Sequence, residues 1–229
     1  MNMYSITVKN ESGSHQHYAL FSKAPQVTGT VQGQVWSNVF ATANTPKQQT
    51  AQFTVYKQYY AVCGSSNGSP DQGVQVSVGQ TLPVTLGVKK PDGTVVHGTT
   101  VGLIDDGGAP AFSDTMPPAS SYPNAFEIDT HPDFTVQDAK DGNWLIGLGG
   151  SSNGTGSTGP AATFMPEPNV KYQIQPVNTY YVCFGDFTKG ALIDVTKIGG
   201  STCTIDFTHL PSSVTIVHDA EGELVLQKE

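Results

Sequence analysis

The sequence predicts an all-β fold: an antiparallel β-sandwich, built as one large or two small packed halves, with almost no helix. Three observations carry that expectation. Apolar and polar residues alternate with period two in one segment after another, as half-buried strands require. The 229 residues include 25 Gly and 15 Pro, which interrupt helices and build tight turns. No segment of helical length repeats its apolar residues at three- and four-residue spacing. Charged residues make up only 13% of the chain, about half the usual fraction, so Ser, Thr, Asn and Gln supply the polarity. Ten Phe, nine Tyr and two Trp provide a core and argue against disorder.

The elements follow in order. Tyr4, Ile6 and Val8 alternate with Ser5 and Thr7 and form a first strand, closed by the turn-rich Asn10-Glu11-Ser12-Gly13-Ser14. Lys47 to Cys63 is the longest stretch free of Gly and Pro. Its length would suit a helix, but its β-branched and aromatic residues and its alternation from Phe53 onward assign it to strand. Val74 to Val78 alternates almost strictly, and Val101-Gly102-Leu103-Ile104 runs into Asp105-Asp106-Gly107-Gly108. The Pro-rich connection 109–123 includes Met116-Pro117-Pro118 and can be neither central strand nor helix. It separates a first half, 1–108, from a second, 124–229, while a single compact domain fits equally well. Val170 to Val177 and Tyr180 to Cys183 continue the pattern. Val214 to Val217 and Leu224 to Leu226 flank Asp219-Ala220-Glu221-Gly222, a hairpin loop with a late Gly. Roughly fourteen to seventeen strands result.

Charge excludes some functions. The chain has eleven Lys and no Arg, with a formal net charge of -8. Arg is the residue whose planar fork binds phosphate bidentately, so binding to nucleic acid or an anionic membrane is not expected. No apolar run approaches the roughly 20 residues of a transmembrane segment. The opening residues lack a basic and an apolar signal region, which points to the cytoplasm; the sequons at Asn10, Asn67 and Asn153 matter only on export. Cys63, Cys183 and Cys203 form no metal-binding spacing and read as buried small hydrophobes. A Cys183–Cys203 bridge requires their strands to be neighbours.

Two internal echoes stand out. Tyr59 to Gly64 resembles Tyr180 to Gly185, and Gly64-Ser65-Ser66-Asn67-Gly68 recurs as Gly150-Ser151-Ser152-Asn153-Gly154. Both copies of the second match the GxSxG nucleophile elbow, but neither precedes a helix-forming segment, so they read as Gly/Ser loops.

Candidate chemistry lies elsewhere. His15 and His17 share one face of an extended chain and can begin a metal site. Asp129, His131 and Asp133 likewise share a face, where the carboxylates could bind a cation or orient the imidazole. From Asp105 to Asp141 there are eight acidic residues and one Lys, a patch suited to Ca²⁺, a transition metal or a hydroxylated ligand. No cofactor is expected. Trp144 adds an aromatic surface of the kind that stacks on sugars. Together, Asp105, Asp106, Asp129, His131, Asp133 and Trp144 define a binding module for a small neutral ligand or glycan, reached through loops at one end of the sandwich. Two other readings are a structural or self-assembling β-protein and a metal-assisted or small-molecule-shaping enzyme using the Asp/His set. A homo-oligomer is compatible with the composition.

Overall fold

The computed structural model describes residues 2–115, 117–120, 122–198 and 202–227. Among these the chain runs through β1 (Met3–Asn10), β2 (Gln16–Ser22), β3 (Gln26–Thr28), β4 (Gln32–Thr45), β5 (Thr50–Ser66) and β6 (Val76–Val84). It continues with β7 (Val88–Lys89), β8 (Val95–Val96), β9 (Thr100–Asp105), β10 (Pro110–Phe112), β11 (Phe126–Thr130) and α1 (Val136–Asp141). Next come β12 (Trp144–Ser151), β13 (Gly159–Met165), β14 (Lys171–Gln175), β15 (Thr179–Phe184) and β16 (Leu192–Ile193). A 3₁₀ turn (Val195–Lys197), β17 (Thr202–Asp206), β18 (Ser213–His218) and β19 (Leu224–Leu226) complete it. The all-β expectation holds.

Twelve strands form one sheet in the order β17-β15-β2-β4-β13-β12-β5-β1-β18-β19, with β16 paired to β4 and β6 to β5. Its end strands β17 and β19 return into contact, so the sheet curls nearly into a barrel. A second sheet has the order β10-β9-β11-β14-β3, and β7 and β8 make a separate hairpin. The strands are not all antiparallel as expected. β1 runs parallel to β18, and β11 runs parallel to β9. Parallel neighbours need a long crossover between them, and the Pro-rich connection lies within the β9–β11 crossover. The segments before and after it are interleaved: β5 pairs with β12, β9 with β11 and β1 with β18.

Two long strands organise the core. β5 pairs with β1 through residues 50–56 and with β6 through residues 59–66. β4 pairs with β13 near its start and with β2 near its end. Each strand therefore serves two interiors. In one, β1 buries Tyr4, Ile6, Val8 and Asn10 in strict alternation, and Tyr4 stacks on Phe207 at 4.0 Å. In the other, Phe164 of β13 meets Tyr172 of β14 at 4.9 Å, and Cys63 Sγ reaches the Pro110 carbonyl at 3.4 Å. Both belong to one continuous apolar cluster. A smaller cluster of Ala19, Phe21, Val39 and Cys183 is covered by Ala191 and Ile193.

The Cys183–Cys203 bridge does not form, although β15 and β17 are neighbours. Cys183 sits opposite Thr202, and Cys203 sits opposite Val182. One residue of offset turns the two side chains to opposite faces of the sheet, so Cys183 packs in the small cluster and Cys203 in the large one. All three thiols are free.

α1 escaped the sequence reading because six residues are too few to show a helical repeat. It is held by a capping box, Thr135 and Asp138 bonding each other's backbone N–H. No helix among the described residues is long and apolar enough to cross a membrane.

Candidate functional site

Parallel pairing of β9 with β11 gathers part of the acidic stretch. His131 leaves β11 with its N–H donating to the Leu103 carbonyl at 2.9 Å. The chain then turns so that Asp133 Oδ2 accepts the Asp105 N–H at 3.3 Å, while Asp105 Oδ1 accepts the Gly108 N–H at 2.7 Å. These carboxylates hold the loop backbone at the end of β9. Asp106 is exposed and exchanges backbone bonds with Ala109. Asp129 lies opposite Lys171 across β11 and β14, with 3.9 Å between Oδ2 and Nζ. Trp144 is 1% exposed, donates Nε1–H to the Gly108 carbonyl at 3.3 Å and packs against Phe134. It therefore braces the Asp105–Gly108 loop from below and offers no stacking face to solvent. His15 and His17 stand on another part of the molecule, where His17 pairs with Asn44 on the β2–β4 ladder. Among the described residues no three His, Cys, Asp or Glu side chains converge tightly enough to hold a metal ion.

The GxSxG echoes take ordinary structural roles. Gly64, Ser65 and Ser66 belong to β5, and Ser66 Oγ donates to the Gly68 carbonyl at 2.7 Å. Ser152 Oγ donates to Thr158 Oγ1 at 3.1 Å inside its own loop. The tyrosine echo has a packing explanation. Tyr59 and Tyr180 face the large core, and Tyr181 stacks on Phe21 over the small one. Burial raises the pKa of both Tyr59 and Tyr180.

A separate concavity lies elsewhere. It is a groove of about 770 Å³ where β4 and β12 begin and β13 ends. Gly33, at φ 78°, lets the start of β4 turn between Gln32 and Gln34. Trp36 and Met165, 9% and 8% exposed, supply its apolar surface, and Leu145 in its wall is enclosed. Asn143, at φ 50° just past α1, faces the groove while its carbonyl accepts the Ser66 N–H at 3.0 Å. Lys140 reaches it from the last turn of α1.

A further wall comes from two segments bonded together. Ser69 and Pro70 lead into Gln72, whose Oε1 accepts the Asp194 N–H at 2.6 Å, and Gly73 N–H donates to the Leu192 carbonyl at 2.8 Å. This fixes the 3₁₀ turn that carries Asp194 and Lys197. Asp194 Oδ1 accepts from both the Thr196 N–H and its hydroxyl, and Oδ2 lies 3.6 Å from Lys197 Nζ. The Thr196 bonds, with smaller help from Lys197, hold this carboxyl below the usual range, so it stays ionised near neutrality.

The whole sequence, residues 1–229, matches the family model RhiA. The chain belongs to the RhiA family. No curated protein and no solved structure matches it. The RhiA match takes in both sheets, the groove and the acidic loops alike, so it does not single out either site. The geometry must do that.

The two tryptophans differ in setting: Trp36 lines the groove, whereas Trp144 of the sequence-predicted set is enclosed. Two signals for the groove were present. Gln32-Gly33-Gln34 puts long amides around a flexible residue just before a Trp, and Lys140 is the one cation inside the acidic stretch. Lys197, Asp194 and Ser69 come from distant segments, and only the fold brings them there.

Proposed function

We propose that this RhiA-family chain is a binding module that takes a hydroxylated, carbohydrate-like ligand in the groove beside Trp36. One observation carries the reading: the exposed edges of Trp36 and Met165 share a groove of about 770 Å³ with the amides of Gln34 and Asn143, and with Gln32, whose Nε2 donates to Glu167. A sugar presents apolar C–H faces and polar edges, and a site of apolar surface with a few convergent amides matches both. The acidic loops support it less well, because Asp105 and Asp133 are engaged by backbone N–H groups and Asp129 by Lys171.

The test is a titration with a panel of oligosaccharides, following tryptophan fluorescence in a Trp144→Phe background so that Trp36 is the reporter. A saturable change, abolished by Gln34→Ala together with Asn143→Ala, is the expected result. A folded protein that binds none of the panel would sink the reading.

A further inference from the structure

We infer that the groove's ligand is an anionic saccharide, a hydroxylated chain carrying carboxylate or sulfate groups; this rests on the binding reading above. The starting point is a contrast of charge. The chain as a whole carries a formal net charge of -8. Two of its eleven Lys line this groove, Lys140 and Lys197, against a single carboxylate, Asp194. The lining is thus net positive by one charge in a protein that is otherwise strongly negative.

The three charges are not equivalent. Asp194 is committed to its own turn through Thr196 and pairs with Lys197 at 3.6 Å, so these two charges largely offset each other and the lining's uncompensated charge is that of Lys140. Lys140 has no carboxylate within salt-bridge distance among the described residues. It projects from the last turn of α1, beside Asn143. Its own helix also carries Asp138 and Asp141, but Asp138 is held in the capping box with Thr135 and Asp141 accepts from the Gln137 amide, and neither lies within ion-pair distance of Lys140. Lys197 comes from a different segment near the C-terminal end of the chain, so the two ammonium groups are delivered independently to one concavity.

The same geometry speaks against a small free anion as the intended ligand. A compact anion site gathers several donors on one point, commonly backbone N–H groups or Arg forks. Here the cations are Lys, point charges on flexible stems, and they share about 770 Å³ with amides and apolar surface. That volume and mixture suit an extended ligand whose charges recur along a hydroxylated backbone.

The experiment compares three oligomers of equal length: an oligouronate, a sulfated glucan and a neutral glucan, each titrated by calorimetry in low and in moderate salt. The full chain is used with Lys140→Gln, and with Lys140→Gln plus Lys197→Gln. Both positions are exposed, so the variants should fold, which circular dichroism checks. The expected result is at least tenfold tighter binding of an anionic oligomer than of the neutral one. That preference should weaken with salt, as screening shortens the reach of exposed charges, and should be largely lost in the double variant. Which anionic oligomer binds tighter distinguishes carboxylate from sulfate. Equal binding of all three, unmoved by the Lys variants, overturns the charge inference and leaves the groove reading standing. Retained anionic preference in the double variant also overturns it. Failure of all three to bind removes both.

Discussion

Tyr18 Oη lies 2.9 Å from His218 Nδ1, joining β2 to β18 across the interior of the nearly closed sheet. Both residues are buried, and Phe184 packs on the imidazole at 4.2 Å. Burial pushes the Tyr18 phenol up to about 12 and lowers the pKa of His218, with Asp219 opposing the latter. The fold therefore favours a neutral imidazole, while the unfolded chain takes up a proton near pH 6.5. Because the folded pKa is depressed, this stabilisation is complete above about pH 6.5 and is lost as pH falls below it. Thermal melts from about pH 8 to pH 5.5 should show that decline. His218→Gln should be less stable than the parent at pH 8 and lose less on acidification. Tyr18→Phe leaves a buried ring nitrogen without its partner and should cost about 1–3 kcal/mol.

The thiols should be inert. Burial raises Cys63 and Cys183 to about 12 and Cys203 in the same direction, and it is the thiolate that reacts. A charged thiol reagent at pH 8 should label the native protein slowly and all three positions rapidly in denaturant. Prompt native labelling of Cys63 or Cys183 would contradict this packing.

Gly64 gives a test of the first GxSxG echo. Its backbone lies so close to β6 that an added Cβ would fall 2.0 Å from the Ser77 carbonyl oxygen. Gly64→Ala must push apart two paired strands and should destabilise by about 1–3 kcal/mol, the usual range for an overpacked core. Ser66→Ala, which loses only a bond to the Gly68 carbonyl, should cost less. Urea midpoints rank the two, and the reverse order would give the serine the greater role.

What the sequence displayed and what it hid divide along one physical line. Local periodicity is written in neighbouring residues, so β1, β5 and the β18–β19 hairpin were legible from Tyr4-Ile6-Val8, Phe53-Val55 and the Asp219–Gly222 loop. Register is not local. The one-residue offset that separates Cys183 from Cys203, the parallel pairing of β9 with β11, and the partner switch in β5 depend on pairing with other strands of the chain. The acidic site was half legible. Asp105 and Asp133 do meet, but hydrogen bonds that the sequence cannot display commit their carboxylates to the backbone. The groove left only faint traces, in Gln32-Gly33-Gln34 and Lys140, because its walls come from β4, α1, the 69–75 loop and the 3₁₀ turn.

Asn10 shows how a residue read as part of a turn can also hold the core together. It ends β1 fully buried, and its Nδ2 donates to the carbonyls of Ser14, Thr45 and Pro46 at 2.8, 3.0 and 3.1 Å. Its Oδ1 accepts from the Ser12 hydroxyl at 2.7 Å and the Ser12 N–H at 3.3 Å. One amide thus ties the turn after β1 to the end of β4. Asn10→Ala strands buried carbonyls and should cost about 1–3 kcal/mol. Asn10→Asp is the sharper test. It keeps the acceptor for Ser12 but turns a second oxygen toward three carbonyl oxygens, a setting that disfavours the charged carboxyl and raises its folded pKa. For a raised pKa the stability is present at low pH and lost as pH rises. Asn10→Asp should therefore sit closer to the parent at about pH 4 than at pH 7, after the parent's own pH dependence is subtracted. Denaturant titrations at both values measure this, and an equal deficit at the two would mean that the side chain is solvated. The same burial predicts that the Asn10 sequon stays unmodified in the folded protein, whereas Asn67 and Asn153 are exposed; intact-mass analysis after secretion from a glycosylating host decides it.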